Sequence, residues 1–269
     1  MFVDMLGTLT VRAEDGSDIT PSAGKPRQVL ATLAASPGQV VTVDTLVEEL
    51  WGEQPVRSAA TTIQTYVMQL RRLIAGTTTG SRAERSARAK DVLQTCHTGY
   101  RLAVEPTVVD LTRFLERAES GRRAADLGDD AGAAEILRDA LDLWRGPVLI
   151  DVNTGPVLRL ETTRMDEHRL TVLETCIDAE IRLGRHTGLL AELTTLCGRH
   201  PMHEGLAARL MLALHRSGRS SEAMRVFATL RRHLVDELAI EPSAPVQRLH
   251  SGILDGDPAL DLPDAAVAA

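Results

Sequence analysis

Between residues 58 and 75 the chain reads SAATTIQTYVMQLRRLIA, and its polar side chains suit reading another polymer better than transforming a small molecule. Thr61, Thr62, Gln64, Thr65 and Gln69 supply short hydroxyls and amides, Arg71 and Arg72 follow, and the run holds no acid. On a helix at about 100° per residue, Ile63, Val67, Leu70 and Ile74 fall at i, i+4, i+7 and i+11 and form a core-facing stripe. Ser58, Thr61, Thr65, Gln69 and Arg72 lie on the opposite side, flanked by Thr62 and Gln64. Thr and Gln can reach base edges in a DNA major groove, and Arg can reach phosphate or guanine. Taken alone, the same pattern also fits an ordinary amphipathic surface helix.

The elements around this helix decide between the two. Residues 2–11, FVDMLGTLTV, alternate loosely in polarity and precede the turn-like EDGSD, which predicts one or two short strands. A first helix runs from Arg27 through RQVLATLAAS, with Val29, Leu30 and Leu33 inward, and stops at Pro37-Gly38. A second follows Thr42, with Asp44 as N-cap of TLVEELW, and ends at Gly52. After the short loop Glu53–Arg57 comes the Ser58 helix, so two helices meet in a helix-turn-helix arrangement. GTTTGSRAERSARAK, with no apolar periodicity, is expected as a flexible basic loop. VLQTCHTGYRLAV then alternates with period two around Thr98-Gly99, the pattern of a β-hairpin. Short strands, three helices and a closing hairpin make a winged helix, with His97, Thr98, Gly99, Tyr100 and Arg101 at the wing.

Charge is divided unevenly over the 269 residues. The net charge is −7, yet residues 57–101 hold eight basic and two acidic side chains, on and just after the polar helix. A basic patch on an acidic protein is the footprint of a nucleic-acid contact, although a solvated basic face looks the same.

Catalytic chemistry has no comparable residue set. The sequence contains no G-x-x-x-x-G-K-[ST], G-x-S-x-G, H-E-x-x-H or paired C-x-x-C, and no cofactor is implied. Cys96, Cys176 and Cys197 are too few and too scattered for a disulfide framework. Cys197, His200 and His203 form a C-x-x-H-x-x-H run, but Pro201 interrupts it and no second cysteine lies near, so no metal site is expected. The adjacent acids Asp129-Asp130, Asp166-Glu167 and Asp236-Glu237 read as solvated helix surface. No run approaches 18 apolar residues and no signal pattern opens the chain, so a cytoplasmic protein without a membrane partner is expected.

FVDMLGTLTV, GKPRQVLATLA, VDTLVEELWGEQPVRSA, TTIQTYVMQLRR and TGYRL together resemble the DNA-binding domain of the Streptomyces antibiotic regulatory proteins (SARPs), a winged helix similar to the OmpR type. The resemblance implies that the third helix enters the major groove of double-stranded DNA and the wing meets the flanking minor groove. Transferred to matching positions, Thr61, Thr62, Gln64, Thr65, Gln69, Arg71 and Arg72 become the recognition set, and Tyr100 and Arg101 the wing contacts. Tyr66 is expected to be partly buried. Lys25 and Arg27, before the first helix, are candidate phosphate contacts, or equally a solvated helix start. The same resemblance implies a homodimer on tandem repeats and a loop facing RNA polymerase and its sigma factor, here Trp51, Gly52, Glu53 and Arg57.

From Val109 the pattern becomes wholly helical. DLTRFLERAESGRRAADLG and DAGAAEILRDALDLWRG form a pair broken at Gly128–Asp130, and four further amphipathic segments follow, each closed by Gly, Pro or a polar turn. Paired helices of this length suggest a helical-repeat array. HPMHEGLAARLMLALHRSGRSSEAMRVFATLRRHLVDELAIEPSAPVQRLHSGIL resembles the end of the bacterial transcriptional activator domain, which in SARPs has a tetratricopeptide-like fold. DLWRGPVLIDV is another matching piece, with Trp144 as a core anchor. The expected fold class is therefore mainly α, with a winged helix-turn-helix over residues 1–104, an all-α tetratricopeptide-like domain over 105–255 and a disordered acidic tail over 256–269. The implied function is a sequence-specific transcriptional activator of an antibiotic or polyketide gene cluster. A helical-repeat adaptor whose winged helix does not read DNA is the alternative, since fold alone does not fix function.

Overall fold

The computed structural model describes residues 1–77 and 79–261. It separates into two compact units, one of Met1–Glu119 with Asp139–Leu170, the other of Ser120–Arg138 with Thr171–Ala269.

The first unit opens with the antiparallel pair β1 (Phe2–Asp4) and β2 (Thr10–Arg12). Helix α1 (Gly24–Ala34), strand β3 (Val40–Thr42), helix α2 (Val43–Trp51) and helix α3 (Ala59–Gly76) follow. Helix α4 (Arg82–Val92) leads into β4 (Leu93–Thr95) and β5 (Gly99–Leu102), and the second sheet runs β3-β5-β4, all antiparallel. The stripe Ile63, Val67, Leu70 and Ile74 is buried, as are Val29, Leu30 and Leu33 of α1 and Leu46 and Leu50 of α2. At Gly99 the β3 backbone comes so near that a Cβ would lie 2.0 Å from the Val41 carbonyl oxygen, so only glycine fits there.

Two local expectations change. The N-cap of α2 is Thr42, whose hydroxyl accepts the Thr45 amide at 3.1 Å, while Asp44 sits exposed in the first turn. Residues 82–92, expected as loop, are the helix α4. Ser81 and Glu84 close a capping box on its first turn, with the Ser81 amide donating to Glu84 at 2.7 Å. Only Ala89 of α4 is buried, which is why no apolar period marks it in the sequence.

This unit extends well past the wing. Helix α5 (Asp110–Asp126) begins with Asp110, which is fully buried and accepts the Met5 amide at 2.7 Å, the Leu6 amide at 3.0 Å and Arg145 Nη2 at 2.6 Å. Burial pushes its carboxyl above its ordinary pKa, against the pull of those donors. After helix α6 (Asp130–Leu141), Trp144 is buried edge-on to Phe114 at 5.3 Å between ring centroids, with Arg169 over its ring at 4.7 Å, as befits a core anchor. Asp151 accepts the Leu9 amide at 2.8 Å.

Helix α7 (Pro156–Arg182) starts beneath α2. Its free N-terminal amides are met by Glu49, which is only 1% exposed and accepts Gly155 N at 2.6 Å, Leu158 N at 2.9 Å and Gln28 Nε2 at 2.8 Å. Gly155 is required here, because a Cβ would lie 1.9 Å from the Glu49 carbonyl oxygen.

The second unit is helical. Helices α8 (His186–Arg199), α9 (Glu204–Arg216), α10 (Ser220–Leu238) and α11 (Ala244–Asp255) pack through Leu189, Leu193, Leu206, Leu210, Leu214 and Leu230, with α9 against both α8 and α10. Arg138 ties α6 to α7 and α8 through Glu180 at 2.5 Å and Glu192 at 2.8 Å. Buried Cys176 lies 3.7 Å from the Ala134 carbonyl, and burial pushes its thiol up to about 12. Of the tail expected to be disordered, Pro258–Leu260 form a 3₁₀ turn held by Arg216 Nε to the Leu260 carbonyl at 2.8 Å; residues 262–269 lie outside the described residues.

Glu49→Ala leaves the Gly155 and Leu158 amides without their acceptor, Gln28 keeping its bond to the residue 49 carbonyl, and is expected to cost about 3 kcal/mol of stability. Glu49→Gln, which keeps one acceptor oxygen, costs less. Urea melts of the two variants check this ordering, and equal midpoints for all three proteins would contradict it.

Candidate nucleic-acid interface

Helix α2 stops where Gly52 takes φ +59°, a left-handed conformation that glycine adopts without strain. Residues 53–58 are exposed, and α3 follows. Because the apolar stripe of α3 is fully used in the core, its opposite face is fixed outward. Ser58, Thr61, Gln64, Thr65, Gln69 and Arg72 are all exposed, Thr62 is half-buried, and Tyr66 is half-buried as expected. Thr62 and Thr65 donate their hydroxyl protons back to the Ser58 and Thr61 carbonyls at 2.9 and 3.1 Å. In that state they present acceptor lone pairs and a methyl group outward, which suits an amino group on adenine or cytosine or a thymine methyl. The side chains of Thr61, Gln64 and Gln69 make no hydrogen bond among the described residues.

Several basic and aromatic candidates prove to be committed inside the protein. Arg71 is half-buried and donates to the Leu93 carbonyl at 2.9 Å from Nε and 2.6 Å from Nη2, and to Thr95 at 2.9 Å. It is a strap from α3 to the wing. Burial pulls its guanidinium below its ordinary pKa. Tyr100, expected at the DNA surface, is 6% exposed, because the alternation of β5 turns it inward between Val41 of β3 and Thr95 of β4. Arg101 alternates outward but is half-buried and donates to Gln94 Oε1 at 2.5 Å. The exposed wing tip is His97 and Thr98, which sequence reasoning placed in the wing without assigning them a contact.

Lys25 and Arg27 are also engaged internally. Lys25 donates to the Leu50 carbonyl and lies 5.7 Å from the centre of the Trp51 ring. Arg27 pairs with Asp151 and donates to the Pro21 and Leu9 carbonyls at 3.2 Å each. The charge of Arg27 is paired by Asp151, whereas Lys25 spends one donor on a neutral carbonyl and keeps its charge. Beside them, Glu53 and Arg57 are exposed, whereas Trp51 and Gly52 are half-buried. Around α3 and α4 the exposed basic side chains are Arg57, Arg72, Arg82, Arg88 and Lys90, with Arg85 half-buried.

Cys197, His200 and His203 are not gathered as three ligands among the described residues. His203 instead caps α9, its Nδ1 accepting the Leu206 amide at 3.2 Å, and burial pushes the Cys197 thiol up to about 11. Among the described residues no group of three or more His, Cys, Asp or Glu could hold an ion, and no helix is long and apolar enough to cross a membrane.

A helix-turn-helix with an outward Thr/Gln face, a hairpin beside it and uncompensated cations around it defines a winged-helix DNA-binding regulator. Comparison with known proteins agrees. Residues 20–102 match the family model "Transcriptional regulatory protein, C terminal", and residues 109–254 match "Bacterial transcriptional activator domain". The chain is 50% identical to Regulatory protein DnrI of Streptomyces peucetius over 261 residues, covering 97% of this chain and 94% of that protein. It is 34% identical to Transcriptional regulator RedD of Streptomyces coelicolor, covering 98% of this chain and 73% of that one. A solved structure, Mycobacterium tuberculosis EmbR in complex with low affinity phosphopeptide, superposes with a TM-score of 0.87 at 31% identity, over 99% of this chain and 67% of that one. The protein belongs to the Streptomyces antibiotic regulatory protein family of DNA-binding transcriptional activators.

The two neighbouring arginines of α3 should separate in experiment. Arg71→Ala lowers the melting temperature, since it removes charge-assisted bonds to the wing worth about 1.5–3 kcal/mol. Arg72→Ala leaves melting unchanged and makes the slope of log affinity against log salt shallower by about 0.9, the loss of one phosphate contact. Identical behaviour of the two variants in both assays would contradict the assignment.

Proposed function

We propose that the protein activates an antibiotic or other secondary-metabolite gene cluster by binding tandem direct repeats in promoters. The observation that carries this is the outward Thr61, Gln64, Thr65, Gln69 and Arg72 face of α3, an uncharged reading surface ending in a cation. The family membership and the 50% identity with Regulatory protein DnrI support the biological setting. Thr61, Thr62, Gln64, Thr65 and Gln69 choose the sequence, each good base contact giving about 1–3 kcal/mol of discrimination. Arg72 holds phosphate. Arg71 and Arg101 act by positioning, one through Leu93 and Thr95, the other through Gln94.

Residues 1–104 carry the DNA contact in this reading, and residues 105–255 hold two protomers head to tail on adjacent repeats. The exposed stretch from Glu53 to Arg57 faces RNA polymerase and its sigma factor, and Trp51 and Gly52 shape its base. The protein works in the cytoplasm, without catalysis of its own. Selection of bound sequences from random duplexes at two salt concentrations tests the DNA reading. A short motif repeated about one helical turn apart, with affinity falling steeply in salt, is expected; weak binding without a motif would favour the adaptor function instead. For the polymerase contact, Glu53→Lys with Arg57→Glu should bind the selected duplex like the parent chain yet lose most transcript in a reconstituted assay. Undiminished transcription would remove that surface from the reading.

A further inference from the structure

Helices α3 and α4 enclose a groove of about 550 Å³ whose walls carry only positive charge. Arg72 lies along one wall, Arg82, Arg85 and Lys90 along the other, and no acidic side chain lines it. Small residues make room between them. Ala75 and Gly76 follow Arg72 by about one turn on α3, while Ser86 and Ala89 follow Arg82 at i+4 and i+7 on α4. The groove is therefore lined by cations with small residues between them. Arg71, already held by the Leu93 carbonyl, lines it too.

Two acids on α4 could have neutralised this surface, and neither lines the groove. Glu84 is drawn back to the Ser81 amide by the capping box, and Asp91, the residue after Lys90, is exposed and does not line it. Arg72, Arg82, Arg85 and Lys90 make no ion pair among the described residues, and Arg72, Arg82 and Lys90 are exposed. Like charges gathered along one groove repel one another unless an anion lies between them. A line of cations on two facing helices matches a line of phosphates better than a single small anion.

We propose that this groove is a second DNA site, which clamps the phosphate backbone beside the major groove entered by α3. Arg82, Arg85 and Lys90 hold successive phosphates of one strand, and Arg72 stands where the clamp meets the base-reading face. This rests on the DNA-binding reading above and assigns α4 to affinity, leaving sequence choice to α3.

The test is salt-dependent binding of the full chain to its selected duplex, comparing the parent with Arg82→Gln/Arg85→Gln/Lys90→Gln. Each lost phosphate contact removes about 0.9 from the slope of log affinity against log salt, so the triple variant should be shallower by between about two and three. It should bind all sequences more weakly while selecting the same motif. The difference should vanish on a duplex trimmed of the flanking phosphates, whereas a surface that merely attracts polyanions would lose as much affinity on the trimmed duplex as on the full one and overturn the proposal. An unchanged slope with the motif intact would also overturn it and leave the DNA reading standing. A parent chain that selects no motif would fail the DNA reading itself, and this clamp with it. Because the three side chains sit on a helix with one buried residue, folding should persist; if circular dichroism shows otherwise, Arg82→Gln and Arg85→Gln singly should each take about 0.9 from the slope, and no change in either would refute the clamp.

Discussion

Glu49 is the acceptor on which the helix-turn-helix and the beginning of α7 both close. A carboxylate that is 1% exposed would be costly without donors, and here the Gln28 amide, Gly155 N and Leu158 N surround it. The same contact satisfies amides that a helix starting at Pro156 leaves free. Gly155 can supply its amide only because it has no Cβ to collide with the Glu49 backbone. Since α2 carries Glu49 and packs against α3, the orientation of α3 depends on this buried acceptor.

Asp110 and Asp151 repeat the principle with other partners. Each accepts backbone amides of the N-terminal segment, at Met5, Leu6 and Leu9, and each also meets an arginine, Arg145 or Arg27. The winged helix is thus bonded to residues far along the chain. That is the physical reason its compact unit takes in residues 105–119 and 139–170 as well, although the two family models meet between residues 102 and 109.

Much of the reading surface was legible because it follows from period alone. Once Ile63, Val67, Leu70 and Ile74 face the core, the exposure of Thr61, Gln64, Thr65, Gln69 and Arg72 is forced. Helix α4 escaped notice because its signal lies in the Ser81–Glu84 capping box and in helix propensity, not in apolar spacing. Lys25, Arg27 and Arg71 looked like free cations because their acceptors, Leu50, Asp151 and Leu93, are between 22 and 124 residues away. A local pattern cannot show such partners. Tyr100 differs for another reason: the sequence shows alternation in the hairpin, but which face of the four-residue β5 is inward depends on its pairing with β3.

The chain has two tryptophans, and their surroundings differ enough to make them separate optical reporters. Trp144 is buried edge-on to Phe114 with Arg169 over its face, a rigid dry setting that gives blue-shifted emission. Trp51 is half-buried beside Lys25 at the root of the exposed 53–57 stretch, where solvent reaches it. Red-edge emission therefore follows the surface next to the turn, and blue-edge emission follows the integrity of the core behind it.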